Sequence, residues 1–353
     1  MSKFFSQKYA SLVPYTPGEQ PRDMKYIKLN TNESPFPPSE KAQAAAAEAA
    51  KSLQLYSDPT AKILNEAMAE RYGVEPDCVL MTNGSDEVLN FAFMAFCDEA
   101  HPAVFADITY GFYSVFCDIN RLPSTVVPLH EDFTLSVDDY IGLPGTVFIA
   151  NPNAPTGLCL PVSEVERLIA ANPNRVVVID EAYIDFGGES CIPLTKKYDN
   201  LLVTGTFSKS RSMAGARLGF GIANKALIRD LNTVKYSTNP YNVNSMTMAA
   251  GIGCLADEDY TRENCKKIME AREYTAKELQ KLGFVLTDSR TNFVFARHPA
   301  ISGEELYRKL RQKGILVRHF SSPRIAEYNR ITVGTMEQMQ TLVRTIKEIL
   351  SAR

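Results

Sequence analysis

Hydrophobic and polar positions fall into a repeating order over the first two thirds of the chain. Short apolar runs occur at 78–82, 103–107, 146–150, 176–180, 201–204 and 218–223. Each is too short for a core helix, is rich in β-branched or aromatic residues, and reads as a buried strand. Helical patterns separate several of them, at 85–96, 161–171 and, more loosely, 109–120. Strands alternating with helices predict a mainly parallel sheet covered on both faces, with functional groups gathered at the carboxyl ends of the strands. Ahead of this region, prolines 14, 17, 21, 35, 37 and 38 make the first thirty-odd residues loop-like. An alanine-rich helix follows over 39–51, with Ser39 as its N-cap, and another over 60–72, ended by Gly73.

After residue 224 the order changes. Helices are predicted at 224–236 and 243–282, strands at 284–287 and 292–297, and a helix at 303–313. Short strands at 315–318 and 330–334 and a last helix at 336–351 complete an α+β unit. The expected organisation is an N-terminal arm (1–34) associated with the small domain, a large α/β domain (35–245) and a small α+β domain (246–353). The length of 353 residues supports the division, since single cores stop growing near roughly 250–300 residues.

Composition removes several function classes. The formal net charge of −3 creates no basic field for nucleic acid or an anionic membrane surface. No apolar run approaches the ~18 residues of a membrane span, and the N-terminus lacks the pattern of a signal peptide. The cysteines (78, 97, 117, 159, 191, 254 and 265) are odd in number and form no Cys-x-x-Cys, which fits reduced thiols in the cytoplasm and no metal site. Histidines 101, 130, 298 and 319 form no ligand pattern, and His319 is expected to face solvent. No P-loop is present, and Gly219-Phe220-Gly221 is not a dinucleotide fingerprint.

The chemistry concentrates around Lys209. It follows the apolar run 201–204, stands among Thr206, Ser208 and Ser210, and precedes Arg217 by eight positions. A lysine beyond a buried strand, with hydroxyls and a guanidinium nearby, suits a Schiff-base nucleophile beside a phosphate site. Asp180 closes another apolar run 29 positions earlier, one βαβ-like step away. Both side chains are therefore expected at neighbouring strand ends. Ser85 and Asp86, after Gly84, open a helix whose first N–H groups attract phosphate.

These segments resemble the fold-type I pyridoxal-phosphate aminotransferases, and within them most closely the histidinol-phosphate aminotransferases. The resemblance is carried jointly by Pro-Tyr-Thr-Pro-Gly (14–18), Leu-Asn-Thr-Asn-Glu-Ser-Pro (29–35), Tyr-Ser-Asp-Pro (56–59) and Asn-Gly-Ser-Asp-Glu (83–87). Thr-Tyr-Gly-Phe-Tyr (109–113), Asn-Pro-Asn-Ala-Pro-Thr-Gly (151–157), Asp-Glu-Ala-Tyr (180–183), the lysine segment and Arg-Ile-Thr-Val-Gly-Thr (330–335) extend it over nearly the whole chain. It implies a large domain built on a mainly parallel, seven-stranded mixed sheet, a smaller α+β domain, and pyridoxal 5′-phosphate as cofactor. Lys209 would bond the cofactor aldehyde and then move the substrate proton. Asp180 would hold the pyridine nitrogen, Tyr183 the phenolic oxygen, and Tyr110 the ring face. Ser85, Thr206, Ser208 and Arg217 would surround the phosphate, with Asp86 contributing its backbone while its side chain caps the helix.

The resemblance further places Tyr56 at the cofactor phosphate of a partner subunit, making a homodimer. Tyr15 and Asn32 would line the substrate pocket, and Arg318 and Arg330 would hold substrate phosphate and carboxylate. One position departs from the pattern: Ala154 stands where many members have asparagine, so either Asn153 shifts to replace that amide or Tyr183 acts alone. The implied reaction is amino transfer between L-histidinol phosphate and 2-oxoglutarate, giving glutamate. Competing readings are an aromatic or broad-specificity aminotransferase, a threonine-phosphate decarboxylase, and a non-catalytic regulator that binds the same cofactor.

Overall fold

The structure is a computed structural model that describes residues 2–352; the terminal residues of the expected arm and small domain, Met1 and Arg353, lie outside the described residues. The arm contributes β1 (Ile27–Lys28) and is followed by α1 (Glu40–Ala49) and α2 (Lys62–Tyr72). The Ser39 hydroxyl accepts the Ala42 N–H at 3.2 Å and caps α1, and Gly73 closes α2. The alternating region then supplies β2 (Val79–Thr82), α3 (Ser85–Phe96), β3 (Ala103–Ala106), α4 (Phe112–Asn120), β4 (Ser124–Val127), β5 (Thr146–Ala150), α5 (Val162–Ala171), β6 (Val177–Asp180), β7 (Leu201–Thr206) and β8 (Gly219–Ala223).

Seven of these strands form one sheet in the order β2-β8-β7-β6-β5-β3-β4. β3 to β7 run parallel, and β8 alone is reversed against both of its neighbours. The central strands are buried on both faces, with a strict period of two. Val147, Ile149, Val177, Ile179, Leu201 and Val203 point into one hydrophobic layer; Phe148, Val178 and Leu202 point into the opposite one. That double burial is why these strands read as continuous apolar runs.

Two features of the large domain differ from the sequence expectation. β4 was not anticipated: it is an edge strand with exposed Ser124 and Val126, so it lacks an apolar signature. The step from β6 to β7 also contains no α-helix; short 3₁₀ turns at Ile184–Phe186 and Ile192–Lys196 make the crossover.

The C-terminal third continues through α6 (Lys225–Thr238), α7 (Ser245–Leu255) and α8 (Glu258–Lys281). The single helix expected over 243–282 is broken at Ala256–Asp257, and the break separates two cores. Ala250 and Cys254 of α7 pack with the large sheet, whereas Cys265, Ile268, Ala271 and Leu279 of α8 pack with the small domain. The changeover between the two cores falls at this break. The small domain adds β9 (Val285–Leu286), β10 (Phe293–Arg297), α9 (Gly303–Gln312), β11 (Ile315–Leu316), β12 (Arg318–His319), β13 (Asn329–Thr332) and α10 (Met336–Ser351). Its antiparallel sheet runs β12-β13-β10-β9. The predicted strand 315–318 is divided: β11 pairs in parallel with β1 of the arm, while β12 joins the sheet. Leu29 of the arm is buried in the small-domain core.

α7 lies hard against α1. A Cβ on Gly253 would stand 2.6 Å from the Lys41 carbonyl oxygen and 2.9 Å from Ala42 Cα, both backbone atoms that cannot rotate away. Gly253→Ala is therefore expected to lower stability by roughly 1–2 kcal/mol despite alanine's better helix propensity. Gly215→Ala, whose Cβ would meet nothing within 4 Å, is the control. Urea unfolding midpoints check this, and equal midpoints for the two variants would refute the close-packing account.

Candidate active site

The carboxyl ends of β5, β6 and β7 and the start of α3 surround a cavity of about 260 Å³. Its wall contains Ser85, Asp86, Tyr110, Asp180, Tyr183, Thr206, Ser208, Lys209 and Arg217, the greater part of the residues singled out from sequence. Register explains the centre. Asp180, the last residue of β6, stands beside Ala150 on one side and Thr204 on the other.

Asp180 is 4% exposed. Its carboxylate accepts the Ala182 N–H at 3.2 Å, the Tyr113 hydroxyl at 3.3 Å and the Thr204 hydroxyl at 3.4 Å. All three bonds are long, and burial pushes its pKa up to about 6, with the Asp86 charge adding to the shift. Such a carboxylate, facing a cavity, is suited to a cationic N–H partner.

Lys209 lies across the cavity. Its Nζ is 3.4 Å from the Thr31 carbonyl oxygen and 5.7 Å from the centre of the Tyr183 ring. The Tyr183 hydroxyl accepts a hydrogen bond from Asn32 Nδ2 at 2.9 Å. Tyr110 donates to Asp86 Oδ1 at 2.5 Å; burial, and then the Asp86 charge, hold its phenol well above the ordinary range.

The third part of the cavity is a cradle of backbone and small polar groups. Arg217 reaches the Ser208 hydroxyl at 3.4 Å and Asp86 Oδ2 at 3.2 Å. Thr206 Oγ1 donates to Ser208 Oγ at 3.0 Å. A Cβ on Gly84 would lie 2.4 Å from the Arg217 guanidinium, and one on Gly219 would lie 2.3 Å from the Gly84 carbon and Ser85 nitrogen. Glycines at these two positions let a guanidinium and a strand close directly on the first turn of α3, where N–H groups favour an anion. The expected capping role of Asp86 is corrected here. Gly84 is the N-cap, without a side-chain bond, and the Asp86 carboxylate is drawn instead to Tyr110 and Arg217. Both partners of the Asp86–Arg217 pair are substantially exposed, so a stronger anion can displace the carboxylate at little cost. An amine, a buried carboxylate and an anion cradle around one cavity fit the aldehyde, ring nitrogen and phosphate of pyridoxal phosphate.

Six expected residues do not line this cavity. Asn153 is spent on its own loop and the one after β3: Oδ1 accepts from Thr109, and Nδ2 donates to the Ile108 carbonyl and to Thr156. It is therefore not free to replace the missing amide at Ala154, which does line the cavity. Asn32 is buried behind Tyr183. Tyr15 packs on Phe112, with ring centres 4.4 Å apart. Tyr56 is 84% exposed and stacks on Tyr241.

Arg318 and Arg330 are direct cross-strand partners on β12 and β13. Arg318 donates to the carbonyls of Thr16 and Pro17, and Arg330 to that of Asn30. Arg330 Nε is buried without a partner, and its guanidinium lies 5.4 Å from the Phe293 ring and 5.6 Å from the Phe320 ring. His319, expected in solvent, is half-buried and stacks on Tyr307, because β12 turns it beneath the arm into a second cavity of about 590 Å³.

Tyr113, Thr204, Thr31 and Glu33 were missed. Thr204 stands two positions before Thr206, so strand periodicity puts the pair on one face, which is the signal that could have found it; Tyr110 precedes α4, so no helix periodicity links it to Tyr113. Among the described residues no group of three or more His, Cys, Asp or Glu could hold a metal ion.

The Asp180 environment has a measurable consequence. The folded state raises its pKa from an ordinary 3.8 to about 6. It therefore binds more protons than the unfolded state between those values. The stabilising contribution is full below the unfolded value and is lost as pH rises through about 6. Asp180→Asn is expected to remove roughly 1–3 kcal/mol of this pH dependence in cofactor-free protein, read by urea unfolding at pH 5 and pH 8. Glu181, which burial raises to about 7, keeps a residual slope. A slope unchanged by the substitution would show that Asp180 is not the titrating group.

Residues 24–346 match the family model "Aminotransferase class I and II". The chain is 48% identical over 352 residues to a histidinol-phosphate aminotransferase of Brachyspira hyodysenteriae, covering 99% of each chain. It is 47% identical over 355 residues to that of Aromatoleum aromaticum, covering 99% of this chain and all of the relative. A crystal structure of histidinol-phosphate aminotransferase from Sinorhizobium meliloti in complex with pyridoxal-5′-phosphate shares the fold. Its TM-score is 0.86 at 23% identity, over 93% of this chain and 92% of that one. The chain belongs to the class I and II aminotransferase family and, within it, to the histidinol-phosphate aminotransferases.

Proposed function

We propose that this enzyme binds pyridoxal 5′-phosphate and transfers the amino group of L-histidinol phosphate to 2-oxoglutarate, producing glutamate. The observation that carries the substrate reading is the pair Arg318 and Arg330. Like charges directly opposed across two strands repel, and a buried guanidinium N–H without a partner is costly; an anion between the arm and the small domain relieves both. Substrate phosphate in one half-reaction and dicarboxylate in the other supply such an anion.

Pyridoxal phosphate, when bound, supplies an aldehyde and an electron-withdrawing ring. Asp180 would hold the ring nitrogen in its protonated form, and burial beside Tyr113 and Thr204 keeps its carboxylate in place. Ser85, Thr206, Ser208 and Arg217 would hold the phosphate, and Tyr110 would border the ring. Lys209 would supply the amine for the aldehyde and, as a free amine, would take the proton from the substrate carbon that bears nitrogen. Tyr15 borders the substrate from the arm.

The protein is read as a cytoplasmic homodimer. Its cysteines are unpaired, and no helix among the described residues is long and apolar enough to cross a membrane. Leu53, Leu55, Tyr56 and Ile63 are all more than half exposed, and this apolar surface around Tyr56 suits a second copy of the chain. Sedimentation should give a dimer that Tyr56→Asp together with Leu55→Asp dissociates; a monomeric parent would refute this reading.

The central experiment is a half-reaction. Enzyme loaded with cofactor should show a visible absorbance band that Lys209→Ala abolishes and that histidinol phosphate bleaches without release of carbon dioxide. Bleaching only by phenylalanine or tyrosine would replace the substrate reading, and carbon dioxide from threonine phosphate would replace the reaction. Arg330→Ala should lower kcat/KM for both histidinol phosphate and 2-oxoglutarate by roughly 30-fold or more, the loss of a desolvated charge pair. An effect on only one substrate would contradict a shared anion site.

A further inference from the structure

Asn32 is fully buried, at 1% exposed, and adopts the left-handed backbone conformation, φ +57°, without being glycine. Three polar groups hold it there. Its backbone N–H donates to Thr332 Oγ1 at 2.9 Å, and its carbonyl accepts from Asn292 Nδ2 at 3.0 Å. Its side-chain Oδ1 accepts from Thr332 Oγ1 at 2.9 Å, and its Nδ2 donates to the Tyr183 hydroxyl at 2.9 Å. Thr332 and Asn292 are themselves buried, on β13 and just before β10 of the small domain.

The order of donors in this chain follows from the acceptors present. Thr332 Oγ1 accepts the Asn32 backbone N–H, and among the described residues Asn32 Oδ1 is the acceptor that takes its own hydrogen, which an amide nitrogen at that place would leave unpaired. The neighbouring Asn32 side-chain atom must then be the carbonyl oxygen, which fixes the orientation of the amide. The amide nitrogen consequently faces Tyr183 and donates to it. With that lone pair occupied by a donor, the phenolic hydrogen has to point elsewhere, and Tyr183 lines the cavity that holds Lys209. Lys209 Nζ lies 5.7 Å from the Tyr183 ring centre, and Arg330 and Tyr110 interact with Tyr183 electrostatically. Ala154, on the same cavity, has no side-chain donor.

We propose that Asn32 is a positioning residue: the relay Thr332–Asn32–Tyr183 compels the Tyr183 hydroxyl to donate into the cavity, toward the phenolic oxygen of the cofactor. The inference rests on the functional reading given above. It links the small-domain strand that carries Arg330 to the chemistry, since Thr332 stands two residues further along β13.

The test is the pH midpoint of the visible absorbance of enzyme loaded with pyridoxal phosphate. A donor at the phenolic oxygen stabilises that oxygen as an anion; without it the adjacent proton is held more tightly and the midpoint rises. Thr332→Val and Asn32→Asp should each raise it by about one unit, the scale of one hydrogen bond to a charged group. Thr332→Ser should keep the wild-type midpoint. Tyr183→Phe should show the same rise, and adding Thr332→Val to it should produce no more. Thermal midpoints report folding in parallel, and Thr332→Val, isosteric with threonine, carries the test if Asn32→Asp does not fold. A wild-type midpoint in both Thr332→Val and Asn32→Asp, with Tyr183→Phe shifted, would overturn the relay and leave the functional reading standing. A wild-type enzyme that shows no visible band on addition of the cofactor would overturn both.

Discussion

A carboxylate at the end of a fully buried strand is the constraint on which the site depends. Asp180 is desolvated by the layers on both faces of the sheet and receives only three long hydrogen bonds. Without a cation it is a liability, because burial of the charged form is costly. Its position follows from register: β5 and β6 end together at Ala150 and Asp180 while β7 runs two residues further, so Asp180 opens into the space at these strand ends. The anion cradle at α3 and the amine of Lys209 border that same space. Loss of stability and gain of chemistry thus have one origin.

A second, opposite imbalance faces it from the small domain. Arg318 and Arg330 stand against each other across β12 and β13, and one of their N–H groups lacks a partner. An under-compensated negative charge on the sheet side is thus matched by an under-compensated positive pair on the small domain, outside the cavity wall itself. A ligand that is cationic at one end and anionic at the other relieves both. The arm holds the two sides in relation, since β1 pairs with β11 while Asn32 bonds both Thr332 and Tyr183.

Much of this was legible in the chain. The apolar runs over 146–150, 176–180 and 201–204 became β5, β6 and β7 because strands buried on both faces have no polar positions to obscure them. Asp180, Lys209, Ser208 and Ser85 could be picked out because they close or follow such runs or open the next helix, and Arg217 because it lies eight positions after Lys209; all five line the cavity. Where the signal was weaker, the reading failed for identifiable reasons. β4 lies at an edge and needs no apolar face. The segment 243–282 contains no proline, and Asp257, the N-cap residue of α8 at the break, is a lone cap signal inside a continuous helical pattern. Asn153 looked available, but its three amide bonds are made to residues of its own and a neighbouring loop.

The sequence by itself determined the type of sheet, the family and the candidate groups that surround the cavity, because these depend on local periodicity and on motifs confined to a few neighbouring residues. Tertiary structure alone decided the hydrogen-bond partners of Asn32, Thr332 and Asp86 and the opposition of Arg318 to Arg330. Thr332 is 300 residues from Asn32, and Asp86 is 131 from Arg217. Hydrogen-bond direction and charge compensation act over about 3 Å in space, and no periodicity in the chain specifies which distant groups will stand that close.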